Sequence, residues 1–544
     1  MMEVKQGRLP AVSFEQVQLK SRPEPLVQSH TRLGNTIYST VQQQDYSASV
    51  WLSRRDKLEH SQQKCIVVFA LVCCFAVLVA LIFSAVDIWD EDEDGITEDN
   101  CSRDCRIVLV ENIPEDVVFS DNGTTGLPLS VGLHTLLDLA TRSVEIVSSH
   151  WALNSTDHES CAPAAKQGQY LFRRLLGLRA QQINLKLASD FINSTELNSL
   201  SENGAEVHYL NMTALTKGQF HSSFWVVDRQ HMYIGSAGMD WRSLSKMKEL
   251  GVIIYNCSCL VLDLRRIFSL YWHLEYKQYI PSFWSKRLTA LYNKENALSL
   301  HLNSTQAHAY ISSSPDTFCP KDRTRDIDAI FRVMQDAKKF IYVSITDYLP
   351  LINKSPHRYW SRIDGMLREA LILRSIKVRL LISCWRQTHP LTFNFAWSLK
   401  TLCMELTNCT LEVKFFSPRE QKDGTIQAIN HNKFMVTDNS VYIGNFDWVG
   451  NEFAYNAGAG LVISQPRGVE ERNATVVEQV KAAFLRDWYS RYTKSLQANK
   501  VPECGKNRIS QSVPLKGSPD SVLDSMPDNM VDSGADGNDR NASL

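Results

Sequence analysis

Two similar segments of the chain each begin with a histidine, and the second adds a lysine at a spacing that suits phosphoryl transfer. One begins at His221 with HSSFWVVDRQHMYIGSAGMDW, and the other begins at His431 with HNKFMVTDNSVYIGNFDW. Side chains two positions apart share one face of a β-strand, so His431 and Lys433 project together. Two such faces brought together would surround one anion with imidazole and ammonium groups. One histidine would then attack phosphorus, the other would protonate the leaving oxygen, and the lysines would offset charge on the remaining oxygens.

Each segment also contains an aspartate seven positions after its histidine, Asp228 and Asp438. Asp438 has the opposite strand parity to His431 and is followed by Asn439, a pair typical of turns. We therefore expect this aspartate to be a turn or scaffold group rather than the partner of its own histidine. The chemistry requires no metal and no other cofactor, and we expect none.

The two segments belong to a longer internal repeat. SVEIVSSHW at Ser143 corresponds to KFIYVSITDY at Lys339, and EVHYL at Glu206 corresponds to EVKFF at Glu412. Each half is predicted to run strand, helix, strand, strand, strand, with helices over LFRRLLGLRAQQ and IDGMLREALILRS. Nearly continuous aliphatic strands that alternate with helices indicate an α/β sandwich with largely buried sheets. We predict two repeats, 106–295 and 296–504, related by a pseudo-twofold.

Composition sets the broad class of the protein. Of 544 residues, 44% are apolar and 22% are charged, which is ordinary for globular proteins and excludes a mostly disordered or fibrous chain. Lys and Arg number 58 against 59 Asp and Glu, for a net charge of −1. Because no overall basic field exists, any site for a polyanion must be local.

The segment 65–86 contains no charged residue and is long enough to cross a bilayer as a helix. Basic residues precede it and an acidic run follows it, so the positive-inside rule places the N-terminus in the cytosol. We predict a single-pass type II membrane protein of the secretory or endolysosomal route or the cell surface. The predicted organisation is a disordered tail at 1–64, a stalk at 87–105 and a second disordered tail at 505–544.

Glycosylation sequons and cysteines support a lumenal or extracellular C-terminal part. All N-x-S/T sequons follow the apolar segment, and they include Asn154, Asn193, Asn256, Asn303 and Asn408. Of the 13 cysteines, three lie in the apolar segment and an even number follows it, which favours disulfides over zinc binding. We hypothesise one particular pairing that ties the stalk to the first repeat. It joins Cys101 and Cys105 to Cys257 and Cys259.

Several other residues recur in both repeats or attract attention as histidines. The pairs Asp240-Trp241 and Asp447-Trp448 follow the motif in each repeat, and we interpret them as residues that pack the repeat together. The pairs at strand ends, His150-Trp151 and Asp347-Tyr348, are predicted to lie in the core rather than to line the cleft, because tryptophan at such a position is more often buried. We expect three further histidines to be surface or hydrogen-bonded residues without a role in chemistry. They are His208, His231 and His301.

A pair of segments that follow the pattern H-x-K-x4-D, the first of them incompletely, each leading into a strand that ends in glycine, resembles the phospholipase D superfamily over residues 106–500. The resemblance implies a duplicated phospholipase D-like α/β/α sandwich and, in active members, a phosphohistidine intermediate. With its N-terminal anchor, the chain is similar to a vertebrate subgroup whose active members are endolysosomal single-strand nucleic acid exonucleases. The segments QDYSASVWL and KLEHSQQKC are similar to an inactive paralogue in that subgroup.

The chain departs from this family pattern at three places. The lysine of the first motif is replaced by Ser223, and Gly238 stands where the family has asparagine. Glu249 matches the acid that orients the histidine of the opposite repeat, and is expected to serve His431. The corresponding place in the second repeat falls near Tyr455, which is not a carboxylate. The resemblance therefore implies that His221, the nucleophile, lacks an orienting acid.

The second motif departs less. His431, Lys433 and Asp438 are all present. Asn445 occupies the position at which the family has a polar residue after the glycine, here Gly444. Removal of one preorganised donor to a transition-state oxyanion costs about 10²- to 10³-fold in rate. The combined losses predict a pseudoenzyme that keeps remnants of the family site. These remnants are His221, Asp228, Glu249, His431, Lys433 and Asp438.

Two other functions stay open at this point. One is a weak phosphodiesterase acting on phospholipid or single-stranded nucleic acid through phosphohistidine, and the other is a dimerisation scaffold. The expected partners are the membrane, a phosphate-bearing ligand in the cleft, a second copy of the chain as a homodimer, and a protein partner of unknown kind.

Overall fold

The computed structural model describes residues 66–80, 101–102, 104–119, 126–154, 163–275, 277–352, 358–418, 429–465, 475–497 and 504. The chain divides into two units, Met1–Ser84 and Ala85–Leu544. In the first unit, the described residues form a helix at 66–80. Among the helices of the described ranges, none combines the length and the apolar character needed to span a membrane. The rest of the predicted segment 65–86, and the predicted tails 1–64 and 505–544, lie outside the described residues.

The first half of the second unit contributes ten strands. They are β1 (Arg106–Asn112), β2 (Leu127–Pro128), β3 (Ser143–Val147), β4 (Trp151–Ala152), β5 (Asn184–Asp190), β6 (Glu206–Leu210), β7 (Phe224–Val227), β8 (His231–Gly235), β9 (Met239–Asp240) and β10 (Met247–Tyr255).

The second half contributes fifteen strands in the described ranges, several of them two residues long. They are β11 (Leu298–Leu302), β12 (Thr305–Ser314), β13 (Thr324–Arg325), β14 (Phe340–Ile345), β15 (Tyr348–Leu349), β16 (Leu351–Ile352), β17 (Arg358–Tyr359), β18 (Lys377–Ser383), β19 (Leu411–Phe416), β20 (Ile429–Asn430), β21 (Phe434–Thr437), β22 (Ser440–Gly444), β23 (Trp448–Val449), β24 (Gly458–Ser464) and β25 (Thr493–Ser495).

Helices alternate with these strands in both halves. They are α1 (Leu129–Leu139), α2 (Lys166–Leu176), α3 (Thr195–Glu202), α4 (Met212–Leu215), α5 (Ser258–His273), α6 (Asp326–Asp336), α7 (Ser361–Ile372), α8 (Pro390–Leu402), α9 (Gly450–Tyr455) and α10 (Val476–Trp488). The predicted helix over LFRRLLGLRAQQ was placed too late in the chain. Helix α2 ends before Gly177, whose N–H donates to the oxygens of Arg173 and Arg174 and closes the last turn.

The two large sheets share the order of seven strands and differ in their edge strands. The first runs β2-β1-β10-β8-β7-β3-β5-β6, and the second runs β11-β12-β24-β22-β21-β14-β18-β19-β25. In each sheet, the strand that follows the histidine, β7 or β21, pairs antiparallel with both of its neighbours. The strands β3, β5 and β6 of the first sheet, and β14, β18 and β19 of the second, pair in parallel. The prediction of a mixed α/β fold with two sheets is confirmed.

The halves share one hydrophobic core. Strand alternation places Val252 and Ile254 of β10 on one face and Ile253 on the other. Val252 and Ile254 belong to a buried cluster that also contains Ile311 of β12. Ile253 belongs to a separate cluster with Leu133 of α1. The first sheet is therefore buried on both faces, by the second half and by its own helices, which explains its nearly continuous aliphatic strands.

A buried ion network joins strands of the first half to helix α10 of the second. Lys248 of β10 lies 2.5 Å from the carboxylate of Asp487. Arg486 donates to both carboxylate oxygens of Glu111 at 2.8 Å and contacts Asp487 at 3.0 Å. All four side chains are 6% exposed or less. Two cations therefore balance two anions in a region from which water is excluded.

Four disulfides are present among the described residues. Cys101 pairs with Cys259 and Cys105 with Cys257, so the hypothesised pairing is confirmed. The other two join Cys384 to Cys504 and Cys403 to Cys409. Cys319 is an unpaired thiol, and burial raises its pKa to about 12, so it is not a reactive thiolate. Cys161 lies outside the described residues.

Replacing Arg486 by Met is expected to lower the free energy of unfolding by about 3–5 kcal/mol, because Glu111 and Asp487 would keep buried negative charge without a guanidinium between them. Denaturant unfolding of the purified chain measures this loss. Arg332→Met is the control, since Arg332 forms an exposed pair with Asp336 that is worth at most about 1 kcal/mol. Equal losses in the two variants would contradict the predicted role of the network.

Candidate active-site cleft

His431 is held by two residues of the opposite half. It immediately follows β20, and its backbone N–H donates to the carbonyl of Lys248 at 2.8 Å. Its Nδ1 lies 3.0 Å from both carboxylate oxygens of Glu249, a fully buried residue of β10. Ser236 donates a second hydrogen bond to Glu249. This arrangement fixes the ring and leaves Nε2 facing Lys433, as the family resemblance implied for Glu249.

Lys433 lies on the same strand face as His431, and its Nζ is 2.8 Å from the imidazole Nε2. The side chain is 7% exposed and approaches Asp447 at 3.5 Å. Burial by itself lowers the pKa of Lys433, but the carboxylates of Asp447, Glu452 and Glu249 raise it more strongly, so the net pKa lies above its ordinary value. The ammonium group therefore stays charged and is already surrounded by anions.

His221 is held in the reciprocal way by the second half. Its backbone N–H donates to the carbonyl of Ala457 at 2.9 Å. Its Nδ1 lies 3.5 Å from the Glu452 carboxylate, and its Nε2 lies 3.1 Å from Gln219 Oε1. The imidazole is 32% exposed. Glu452 contacts His221 and also accepts a hydrogen bond from the N–H of Asp447, whose carboxylate faces Lys433, so the two motifs meet in one cleft.

The prediction that His221 lacks an acidic partner is wrong. Strand register aligns β10 with β24 so that Glu249 corresponds to Gly458, and Tyr455 is the last residue of α9. Glu452 lies one helical turn before Tyr455 and reaches the imidazole from the helix instead of from the strand. A strand-to-strand alignment of the sequence has no means of finding it.

Ser223 and Gly238 leave the first motif without its cation and its amide. The buried Ser223 hydroxyl donates to the carbonyl of Ala237 at 2.5 Å. At Gly238, the nearest atom to an added Cβ would be Ser148 Oγ at 3.4 Å, which is ordinary van der Waals contact. The first motif therefore offers no charge to an anion, although a side chain at position 238 would fit.

Asn445 joins the ends of the two motifs. Its Nδ2 donates to the carbonyls of Ser223 at 3.2 Å and Gly235 at 2.9 Å. Its Oδ1 accepts a hydrogen bond from the N–H of Ala459 at 2.9 Å. The carboxamide is thus bonded to backbone in both halves, and it acts as a structural link rather than as a donor to a ligand.

The structure does not place Asp228 and Asp438 at the cleft. The Asp228 carboxylate accepts hydrogen bonds from the backbone of Thr141, Arg142 and Ser143. Asp438 accepts from the backbone of two residues that precede β14, at 3.0 and 2.9 Å. Each aspartate follows its histidine by seven positions, roughly 20 Å along an extended chain. Both residues were included among the predicted site remnants, and both are scaffold groups that fix the start of a strand. Turn chemistry had indicated this role for Asp438.

Asp447 is part of the cleft as well as of the repeat packing. Its Oδ1 accepts hydrogen bonds from the N–H groups of Thr346 at 2.6 Å and Asp347 at 3.1 Å, while Oδ2 faces Lys433. Burial, together with repulsion from Asp447, raises the pKa of Asp347 to about 7. The charge of Asp347 therefore interacts with the charged groups of the cleft, contrary to the prediction that this residue lies in the core. The strand-end Tyr348 is fully buried, as expected.

The remaining residues singled out in the sequence lie away from this chemistry. Trp151 is buried, whereas His150 is exposed and lies 3.7 Å from Asp240. His208 stacks on Trp272 with ring centroids 3.4 Å apart. His231 accepts a backbone hydrogen bond from Asn256, and His301 is exposed.

Carboxylates and an ammonium group lie together in the cleft. The carboxylates of Asp447, Glu452 and Glu249 raise the pKa of Lys433, and Asp347 lies beside Asp447. A phosphodiester would therefore meet repulsion from these carboxylates as well as attraction to Lys433. In the ranges that the structure describes, no set of three or more His, Cys, Asp and Glu side chains is arranged to hold a metal ion.

Replacing Asp347 by Asn should make the protein relatively more stable at high pH. Because the folded-state pKa of Asp347 is raised to about 7, its stabilising contribution is full below the ordinary carboxyl pKa and is lost as pH rises through 7. The gain of Asp347→Asn over wild type should therefore grow between pH 5 and pH 8, by about 2 kcal/mol. Denaturant unfolding at both pH values measures it, with Glu202→Gln at the exposed end of α3 as control. A gain that does not change with pH would refute the assignment.

Comparisons with known proteins agree with this geometry. The family model described as "PLD3/4, PLD-like domain" matches residues 120–421. Inactive phospholipase D5 of Mus musculus is 57% identical over 517 residues, covering 92% of this chain and 95% of that protein, and its Homo sapiens counterpart is 56% identical over the same coverage. The 5'-3' exonuclease PLD3 of Homo sapiens is 41% identical over 409 residues, covering 73% of this chain and 82% of that protein. With two histidine motifs facing each other across matched sheets, the chain belongs to the phospholipase D family.

Proposed function

We propose that this protein is a catalytically silent member of the phospholipase D family that keeps the architecture of the cleft without its turnover. The observation that carries the proposal is the state of the first motif. Ser223 is bonded to a backbone carbonyl where a second lysine would face the phosphate, while the charge of Lys433 is already offset by Asp447, Glu452 and Glu249. Loss of one such donor costs about 10²- to 10³-fold in rate. The names of the two relatives at 57% and 56% identity, both inactive, support the same conclusion.

The two repeats, 106–295 and 296–504, are proposed to be related by a pseudo-twofold. Reciprocal contacts support this: His221 N–H bonds to Ala457 and His431 N–H bonds to Lys248, each in the opposite half. Each histidine also contacts a carboxylate of the other half, Glu452 or Glu249.

We further propose that the protein is a glycosylated type II membrane protein with its C-terminal part in the lumen or outside the cell. The charges flanking segment 65–86 support this orientation. The sequon residues Asn154, Asn193, Asn256 and Asn408 are exposed, as glycan attachment requires. The proposed partners are the membrane, a phosphate-bearing or protein ligand of the cleft, and a second copy of the chain.

The proposal predicts that the purified full chain hydrolyses neither phosphatidylcholine nor a single-stranded oligonucleotide, and that no phosphohistidine accumulates. Product release from labelled substrates and acid-quench trapping of the protein measure both. His431→Ala is the control, because a background signal must be the same in this variant. Turnover in wild type that disappears in His431→Ala would overturn the proposal.

A second prediction concerns what the cleft lacks. Because Glu452 already faces His221, Ser223→Lys and Gly238→Asn together should restore the missing cation and amide, and should raise phosphodiester hydrolysis at least 10²-fold over the wild-type background. The matched control adds His431→Ala to the same double variant, which should return the rate to background. A double variant that folds but remains inactive would show that these two positions do not explain the absence of turnover.

A weak phosphodiesterase is the second candidate, favoured by the persistence of both histidines with acidic partners. The 41% identity to a 5'-3' exonuclease points to nucleic acid as the substrate class to test, here as a single-stranded oligonucleotide. In this case Ser223→Lys alone should increase an already measurable wild-type rate. Undetectable rates in both proteins would exclude this candidate.

A further inference from the structure

The carboxylate of Asp447 is held by the kind of donors that bind small anions in proteins. Its Oδ1 accepts hydrogen bonds from two consecutive backbone N–H groups directly after β14, those of Thr346 at 2.6 Å and Asp347 at 3.1 Å. Its Oδ2 lies 3.5 Å from the ammonium group of Lys433. Consecutive N–H groups and a nearby ammonium are typical partners of an oxyanion. We call these three donors the β14 nest.

The structure keeps Asp447 in this position and shields it from water. Lys433 and Asp447 are each 7% exposed, so solvent screens their interaction little. The neighbours Phe446 and Trp448 are 1% and 2% exposed, which fixes the segment on both sides. The N–H of Asp447 also donates to Glu452 at 2.9 Å. The carboxylate is therefore a built-in occupant of the β14 nest.

The ammonium group of Lys433 is directed to groups of this chain. An ammonium has only donors, so at 2.8 Å Lys433 donates to His431 Nε2, which accepts. Burial lowers the pKa of Lys433, and Asp447 gives the largest of the opposing effects, ahead of Glu452 and Glu249. The charge that would attract an oxyanion is thus balanced first by Asp447.

The repeat shows that the fold does not need a carboxylate at this position. Gly235 and Gly444 end the corresponding strands β8 and β22, and Gly238 and Asp447 each lie three positions later. Each is followed by a short strand, β9 or β23, that pairs in parallel with β4 or β15. The first half therefore builds the same connection with a glycine where the second half has a carboxylate.

The hydrogen bonds of Asp447 to backbone do not require its charge either. An asparagine Oδ1 would accept from the same two N–H groups, because a carboxamide oxygen has the same acceptor capacity there. What the carboxylate adds is the contact of its Oδ2 with Lys433. The negative charge therefore acts on the ammonium group of the cleft.

We propose that Asp447 is an internal anion that keeps external oxyanions out of the β14 nest, so that the second motif is suppressed in addition to the loss at Ser223. This inference rests on the proposed function and names the group that acts on the remaining lysine. A phosphate oxygen has to compete with a carboxylate that is part of the chain and already in place. The contact weakens the attraction of Lys433 for an oxyanion and leaves the lysine itself intact.

The test measures binding of inorganic phosphate to the purified full-length chain by titration calorimetry at one pH and one ionic strength. Asp447→Asn keeps the Oδ1 acceptor and removes the charge, so it should tighten phosphate binding at least tenfold. The matched control Asp138→Asn removes one charge from an exposed ion pair with Arg174 and should change the affinity less than twofold. Adding Lys433→Met to Asp447→Asn should remove the gain.

Equal phosphate affinities of wild type and a folded Asp447→Asn variant would overturn the proposal. Asp447→Gly, which copies the state of Gly238, is the second variant, and the same gain is expected from it. A gain that persists after Lys433→Met would also overturn the proposal, because phosphate would then bind elsewhere. No substrate is present in these titrations. Turnover by wild type would overturn the proposed function alone, whereas unchanged phosphate binding would overturn this inference alone.

Discussion

The arrangement of the cleft depends on the exchange of contacts between the two halves. Each motif histidine is anchored by a backbone carbonyl and a carboxylate that belong to the other half, through Lys248 and Glu249 for His431 and through Ala457 and Glu452 for His221. A histidine side chain is useful in chemistry only when its tautomer and orientation are fixed. Neither half supplies this by itself, so the shared core and the buried ion network position the chemistry as well as stabilising the fold.

Much of this could be predicted from the sequence. The two similar histidine segments, with their aliphatic flanks, predicted two matched α/β halves, and turn chemistry at Asp438-Asn439 predicted a scaffold aspartate. These inferences succeeded because strand periodicity and turn propensity are local properties that a sequence displays directly. The contact of Glu249 with His431 was implied by the family resemblance of the MKELGV segment, not by local spacing.

The parts that sequence could not predict depend on distances across the chain. Glu452 contacts His221 because a short helix intervenes before β24, and neither its position nor its direction follows from strand spacing. Asn445 was interpreted from its place after Gly444, whereas its bonds to Ser223 and Gly235 require the packed sheets. Asp447 recurred with a tryptophan in both repeats, and only the position of Lys433 reveals its electrostatic part.

The carboxamide of Asn445 has a consequence for how this protein can change over time. At a position that the family resemblance assigns to the site, this residue bonds to the backbone of both sheets, so its replacement would remove a link between the motif ends whether or not any reaction takes place there. Abandoning turnover therefore does not release such positions from selection. A lineage without catalysis would keep part of its ancestral site for mechanical reasons, and persistence of those side chains among relatives would be a poor guide to enzymatic activity.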